Sequence, residues 1–142
     1  IRELETIGLL HDIGKITIDD SILNKEDVLT DDEWSDIKRH PELGFRILSA
    51  VKDMSRISEF VLSHHERYDG TGYPQGLKGD DIPLQSRIVA VVDAYDAMTN
   101  ERPYREPLSS QSAAEELRKN AGTQFDPYLV EVFLTRVLPH IS

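Results

Sequence analysis

Apolar residues recur along this chain at the three- and four-residue spacing that is typical of amphipathic helices. The clearest run follows Ser55, where positions i, i+3, i+4 and i+7 are Ile57, Phe60, Val61 and His64. This stripe predicts a helix whose inward face leads directly into two adjacent histidines. A first helix is predicted over residues 1–12, because one face carries Ile1, Leu4, Ile7 and Leu10.

Breakers and capping residues divide the next part of the chain. Gly14 is predicted to end the first helix, and residues 16–29 lose periodicity, which indicates a loop with one short helical turn. Thr30 and Glu33 have the spacing of a capping box at a helix start. Pro41 suits the first turn of the helix that follows.

The C-terminal part of the chain carries the same kinds of signal. Ser110 is a candidate N-cap for a helix that runs through Leu117. The pair Asp126-Pro127 combines an N-cap with proline at the first helical position. The last helix is therefore predicted to begin there and to end before Pro139.

The segment from Leu84 to Thr99 decides the fold class. Residues 87–92 could form a strand on their own. The whole apolar-rich segment contains no glycine or proline, however, and it is too long for most strands. We therefore predict a buried helix here and an all-α helical bundle for the chain as a whole.

Composition limits the classes of function. The 142 residues are 39% hydrophobic, enough for one domain with one core, and no apolar run approaches the roughly 20 residues that cross a bilayer. The absence of cysteine means that any metal ligands are nitrogen and oxygen atoms. A net charge of -10 argues against sequence-independent binding to DNA or RNA, which needs a basic surface. We expect a cytoplasmic domain without membrane contact.

Four of the five histidines lie near the ends of predicted helices. A single His-Asp pair is most simply a helix end with a favourable dipole interaction. Adjacent histidines are harder to explain by packing, because each buried imidazole needs partners for both ring nitrogens. A carboxylate on an apolar helix likewise needs a cation. The candidate metal ligands are His11, Asp12, His40, His64, His65 and Asp93.

The position of Asp12 beside a candidate histidine ligand suggests a reaction. An aspartate can bridge two metal ions, and a bridged pair of cations activates water near neutral pH while holding both oxygens of an in-line phosphoryl displacement. The candidate ligands therefore indicate hydrolysis of a phosphate ester.

Several sequence blocks together resemble the HD-GYP domain family. The blocks are residues 11–15, His40-Pro41-Glu42, His64-His65-Glu66, Gly72-Tyr73-Pro74 and residues 93–99. Residues 102–105 and 122–127 also match, so the resemblance covers nearly the whole chain. It implies a helical bundle around two or three divalent metal ions, commonly iron or manganese. It also implies hydrolysis of the bacterial messenger cyclic di-GMP to linear pGpG or GMP.

The resemblance assigns roles to particular residues by matching position. One metal would be held by His11, Asp12 and Asp93, and a neighbouring metal by Asp12, His40, His64 and His65. Phosphate-contacting positions match Lys15, Arg102 and Arg105, although each alone is equally well explained as a solvated loop charge.

Three further residues between His65 and Pro74 are candidates on chemical grounds. Tyr73 is predicted to shape the substrate pocket, or else to serve as a packing anchor beside its proline. Glu66 and Asp69 are predicted to orient ligand imidazoles, with proton transfer during catalysis as the second role. We expect Asp12, Lys15 and Asp69 to be the catalytic residues.

Members of the resembled family have a preceding helix that contributes a glutamate and a histidine to the metal centre. Glu3 and Glu5 are not at the matching place. We therefore expect a fragment of a longer signalling protein, with a sensor or receiver domain elsewhere. The metal site of His11 and Asp93 should be incomplete, and exposed Ile7 and Leu10 should promote a homodimer.

Two alternatives remain open at the level of sequence. The chain could be an HD phosphohydrolase for another nucleotide, against which the Gly72-Tyr73-Pro74 block argues. It could instead be a catalytically inactive module that binds a signalling partner. Such a module has no physical need for the ligand set, which makes this alternative less consistent with the sequence.

Overall fold

A computed structural model describes residues 2–102 and 105–141, so Ile1, Pro103, Tyr104 and Ser142 lie outside the described residues. The α-helices of the described part are α1 (Arg2–Leu10), α2 (Asp20–Leu23), α3 (Asp31–Lys38), α4 (His40–Ser49), α5 (Ser55–Leu62), α6 (Leu84–Thr99), α7 (Ser110–Lys119) and α8 (Pro127–Val132). Short 3-10 turns cover Ile13–Thr17, Gly79–Asp81 and Leu138–His140. No strand forms within these ranges, which confirms the predicted all-α class.

Helix α6 belongs to both apolar clusters of the fold. On one side, Val89 packs with residues of α1, α4 and α5, namely Ile7, Leu48, Ile57, Phe60 and Val61. On the other side, Val91 packs with residues of α7, α8 and the segments that follow them, including Leu117, Phe125, Val130 and Phe133. The helix predicted over residues 84–99 is confirmed. In the described part of the chain, neither α6 nor any other helix has the length and apolar content needed to span a membrane.

Local capping explains where several helices begin. The Thr30 hydroxyl accepts from the Glu33 amide, and Glu33 accepts from the Thr30 amide, so the predicted capping box is confirmed. Asp126 caps α8 as predicted. The cap of α7 is Ser109, one residue before the predicted Ser110, because the Ser109 hydroxyl accepts from the Ser112 amide.

The first and last helices end at other residues than predicted. Helix α1 ends at Leu10, and Gly14 lies instead in the following 3-10 turn. Its small size is needed for packing, since a Cβ there would collide with the carbonyl oxygen of His40. At the C-terminus, α8 ends at Val132 and continues as a π-helical turn and then a 3-10 turn that includes Pro139.

The prediction that Ile7 of the first helix is exposed is wrong. Ile7 is completely buried in the cluster with α5 and α6, and Leu10 packs partly against the same cluster. The exposed apolar residue of α1 is Leu9, which is 85% accessible. A buried Ile7 cannot promote a homodimer, and self-association stays a prediction.

Arg87 joins α6 to the start of α8. Its Nε donates to the Ile82 carbonyl, and its Nη1 lies 3.1 Å from Asp80 Oδ1 and 2.7 Å from Asp126 Oδ2. Asp126 is buried, and its other carboxylate oxygen caps α8 by accepting from the Tyr128 amide. One guanidinium thus stabilises a buried charge that also fixes a helix terminus.

Replacing Arg87 by methionine should destabilise the fold far more than replacing Asp80 by alanine. Arg87→Met leaves the buried Asp126 carboxylate without its cation, which should lower the free energy of unfolding by about 3 kcal/mol. Asp80 is 89% exposed, so Asp80→Ala should cost less than about 1 kcal/mol. Urea denaturation followed by circular dichroism measures both. Equal losses would show that burial of Asp126 does not set the strength of the Arg87 pair.

Candidate metal centre

Backbone carbonyls orient three of the candidate histidine ligands. The Nδ1 atoms of His11, His40 and His64 lie 2.8, 2.6 and 2.5 Å from the carbonyl oxygens of Gly8, Ile37 and Val61. A carbonyl oxygen only accepts hydrogen bonds, so Nδ1 carries the proton in each ring. The Nε2 atom of each ring is left with a lone pair that can bind a metal.

These Nε2 atoms converge on the carboxylate of Asp12. The Nε2 atoms of His40 and His64 are 3.3 Å apart, and they lie 3.4 and 3.8 Å from Asp12 Oδ1. Ligand atoms of Asp12, His40, His64 and His65 all lie within 4.8 Å of one another. Lone pairs and a carboxylate at such distances repel one another unless a cation lies among them, so these residues fit a metal ion.

The other oxygen of Asp12 faces a second group of candidate ligands. His11 Nε2 lies 3.2 Å from Asp12 Oδ2 and 3.3 Å from Asp93 Oδ1. This nitrogen is buried and forms no hydrogen bond with the described residues. A metal ion would satisfy it. Asp12 therefore stands between two ligand groups, with one carboxylate oxygen towards each.

The pKa values reflect the same demand for positive charge. Burial disfavours a charged Asp12, but the close imidazoles of His11, His40 and His64 outweigh it and hold the pKa of this carboxyl well below its usual range. Burial also disfavours a charged His11, yet Asp12 and Asp93 raise its pKa to about 10. Burial and the neighbouring His64 and His40 lower the pKa of His65 to about 3, so this ring is neutral. Either a proton on His11 or a metal ion can balance the two carboxylates.

Two other residues predicted for the site lie next to these ligands. Lys15 Nζ is 3.3 Å from Asp12 Oδ1, because the 3-10 turn brings the lysine back beside the aspartate. The Tyr73 ring stacks on His65, with centroids 5.1 Å apart and planes inclined by 19°. Burial, with the nearby charge of Asp12, raises the pKa of Tyr73.

The remaining predicted residues make their contacts elsewhere. Arg105 Nη2 donates to the carbonyl of Ala97, and its backbone pairs with that of Arg102. Asp69 Oδ1 accepts from the amide and hydroxyl of Thr71, so it shapes a turn and does not orient a ligand imidazole. The substrate contacts of both arginines, and proton transfer by Asp69, stay predictions.

Glu66 has a different role from the one predicted. It is buried, and its two carboxylate oxygens accept from the backbone amides of Gln75 and Leu77, 2.6 and 3.0 Å away. Glu66 thus holds the loop that carries Tyr73, while backbone carbonyls orient the imidazoles. The loop lies tightly against the histidine segment, since a Cβ on Gly72 would collide with the Arg67 amide.

One cation near the site was not indicated by the sequence. Lys38 Nζ lies 5.6 Å from the centroid of Tyr73. A lysine in the last turn of a helix is expected from the helix dipole alone, so no local signal distinguishes this residue.

Two cavities reach the ligands from different directions. A cavity of about 140 Å³ is lined by His64, His65, Arg67, Asp93 and Gln124, among others. A cavity of about 340 Å³ between α1 and α6 reaches His11 and Asp93, and its other walls are mainly aliphatic, from Leu4, Ile88, Val89 and Val92.

Comparison with known proteins identifies relatives of this chain. Residues 1–129 match the family model described as an HD domain. The chain is 45% identical over 136 residues to the cyclic di-GMP phosphodiesterase response regulator RpfG of Xanthomonas campestris pv. campestris, covering 94% of this chain and 36% of that protein. It is 43% identical over 127 residues to the 3′3′-cGAMP-specific phosphodiesterase 2 of Vibrio cholerae, covering 88% of this chain and 24% of that protein.

Similarity of fold agrees with these matches. The crystal structure of a cyclic GMP-AMP specific phosphodiesterase of Vibrio cholerae superposes with a TM-score of 0.72 at 22% identity, covering 95% of this chain and 37% of that chain. The chain spans well under half the length of each of these proteins. The family model covers most of the chain, and the chain belongs to the HD domain family, within the HD-GYP group whose sequence blocks it carries.

Proposed function

We propose that this domain hydrolyses a phosphodiester bond of a cyclic dinucleotide, with cyclic di-GMP as the first candidate. The observation that carries the proposal is the position of Asp12, whose two oxygens face two groups of metal-ligating side chains. The named activities of the relatives in Xanthomonas and Vibrio support the substrate class. Because one of these relatives is specific for 3′3′-cGAMP, that dinucleotide is the second candidate substrate.

The proposed metal ligands fall into two sets that share one carboxylate. The first set is His11, Asp12 and Asp93, and the second is Asp12, His40, His64 and His65. Imidazole and carboxylate ligands without sulfur suit iron or manganese. Bound divalent ions would supply Lewis acidity to the phosphoryl oxygens and lower the pKa of a water molecule.

The chain's own residues have separate tasks in this proposal. Asp12 sets the spacing of the two ligand groups, and the Lys15 ammonium binds a phosphoryl oxygen of the substrate. Hydrolysis places the hydroxyl of water on phosphorus and a proton on the departing ribose oxygen. Glu66 keeps the Tyr73 loop against the ligands. Arg102 and Arg105 are proposed as further phosphate contacts from their position in the family pattern alone.

We also propose that the domain is the output part of a longer signalling protein. One relative is named a response regulator, and the alignment covers 36% of it. A sensor or receiver domain would then control hydrolysis from outside the 142 residues.

Replacing Asp12 by alanine should abolish hydrolysis and reduce bound metal. The change removes a ligand from both sets, so we expect kcat/KM to fall by at least about 100-fold. Metal content is measured by mass spectrometry of the purified chain, and hydrolysis by chromatography of the products. His140→Ala, at an exposed position, is the control. A folded Asp12→Ala variant with normal turnover would contradict the shared carboxylate.

Replacing Lys15 by methionine should impair hydrolysis and leave metal content unchanged. Loss of a charged hydrogen bond to phosphate predicts a fall of about 10- to 100-fold in kcat/KM. The matched control is Lys52→Met, which removes an exposed lysine distant in sequence from the ligands. Loss of metal in parallel with activity in Lys15→Met would contradict the proposed phosphate contact. Arg102→Ala and Arg105→Ala, assayed beside it, test the two proposed arginine contacts.

A panel of substrates should separate the proposed function from its alternatives. The metal-loaded chain should convert cyclic di-GMP or 3′3′-cGAMP to a linear dinucleotide and should leave a mononucleotide triphosphate intact. Hydrolysis of the mononucleotide alone would favour an HD phosphohydrolase of another specificity. A metal-loaded chain that binds cyclic dinucleotide without cleaving it would favour a signalling module. Chromatography resolves all of these products.

A further inference from the structure

Helix α3 presents a tryptophan and a lysine on one exposed face. Trp34 and Lys38 are four residues apart, so their side chains are neighbours on the helix surface. The Trp34 side chain is nearly half exposed, at 47%. The start of α3 is held by the capping box of Thr30 and Glu33, and Glu33 also receives a hydrogen bond from Lys25. The tryptophan is therefore carried by a fixed helix terminus.

Lys38 connects this face to the candidate metal centre. Its Nζ lies 6.0 Å from the centroid of Trp34 and 5.6 Å from the centroid of Tyr73, within the range of cation–π attraction. Tyr73 in turn stacks on the ligand His65. Trp34, Lys38, Tyr73 and His65 thus contact one another in sequence, from the exposed face of α3 to the candidate metal centre.

The charge of Lys38 is available for a ligand. Among the lysines in the described ranges, Lys15 and Lys25 form ion pairs with carboxylates, whereas Lys38 faces only aromatic rings. The chain as a whole has a net charge of -10. A lysine without a carboxylate partner, close to the candidate metal centre, provides local attraction for an anion.

Neither of the two cavities described above suits a whole cyclic dinucleotide. The cavity lined by His64 and His65 holds about 140 Å³, below the roughly 300 Å³ at which pockets for small ligands begin. The cavity between α1 and α6 is larger, but its walls are aliphatic and acidic, with Asp93 and Asp96 and no lysine or arginine. A substrate with two phosphates and two bases fits neither of these two cavities by size and charge, whereas the face of α3 offers both a cation and a π surface.

We propose that Trp34, Lys38 and Tyr73 form an outer subsite for the half of the cyclic dinucleotide that does not carry the scissile phosphate. Trp34 stacks on its purine base, and Lys38 binds its phosphate. Tyr73 forms the wall between this subsite and His65. The inference rests on the proposed function and adds to it the residues that favour a dinucleotide over a smaller phosphodiester.

If Trp34 stacks on a base, its replacement should impair hydrolysis of cyclic di-GMP and not of a small phosphodiester. Loss of one stacked base corresponds to about 5- to 150-fold in affinity, so Trp34→Ala should raise KM for cyclic di-GMP by that factor. Trp34→Phe keeps a ring and should recover most of the loss. Lys38→Met should raise the same KM about tenfold. For bis(p-nitrophenyl) phosphate, which lacks a second nucleoside, kcat/KM should change by less than about two-fold in all three variants.

Tryptophan fluorescence provides a test independent of turnover. Trp34 is the only tryptophan of the 142-residue chain, so the emission of that chain reports this position alone. Stopped-flow mixing of the metal-loaded chain with cyclic di-GMP should quench the emission before product forms. Tyr128→Ala removes another exposed aromatic, on α8, and should alter neither the quenching nor KM.

The outcomes separate this inference from the proposed function. Suppose that the chain hydrolyses cyclic di-GMP without fluorescence quenching, and that KM is unchanged in Trp34→Ala. This result would contradict the subsite and support the proposed reaction. Equal losses on the dinucleotide and the small phosphodiester would also contradict the subsite, because they would mark Trp34 as structural. Quenching by cyclic di-GMP without hydrolysis would support the subsite and contradict the proposed reaction.

Discussion

The convergence of electron-rich atoms around Asp12 is the constraint on which the site depends. Backbone carbonyls accept hydrogen bonds from the Nδ1 atoms of His11, His40 and His64, so the Nε2 lone pairs point towards a carboxylate. A part-buried arrangement of this kind is unfavourable without positive charge among its members. The fold imposes it through close backbone approach, since the absent side chain of Gly14 lets the turn beside Asp12 rest on the first residue of α4.

The features that could be predicted from sequence are those set by local chemistry. The capping box of Thr30 and Glu33 spans three residues, and its two hydrogen bonds form within one helical turn. The length and composition of residues 84–99 are enough to favour a helix over a strand. The candidate ligands could be chosen because adjacent imidazoles, and a carboxylate on an apolar helix, need partners that packing alone does not supply. Tertiary packing brings these candidate ligands together in the structure. Only the family resemblance predicted that they would meet.

The features that sequence reasoning missed are contacts between distant segments. Ile7 is predicted to be exposed because the sequence lacks the preceding helix that covers it in the resembled family, whereas α5 and α6 bury it completely. Glu66 directly follows the candidate ligand pair His64-His65 in sequence, yet its partners are amides of the following loop. Lys38 approaches Tyr73 from a separate helix. No periodicity or local motif reports such pairings, since each depends on how two loops or helices pack.

The distribution of the ligands along the chain has a consequence for stability. The side chains around Asp12 come from the end of α1, the start of α4, the segment after α5 and the middle of α6. An ion bound to them would act as a reversible cross-link between these four segments. Anything that binds the folded chain and not the unfolded one shifts the folding equilibrium by mass action. The supply of metal would therefore influence what fraction of this domain is folded.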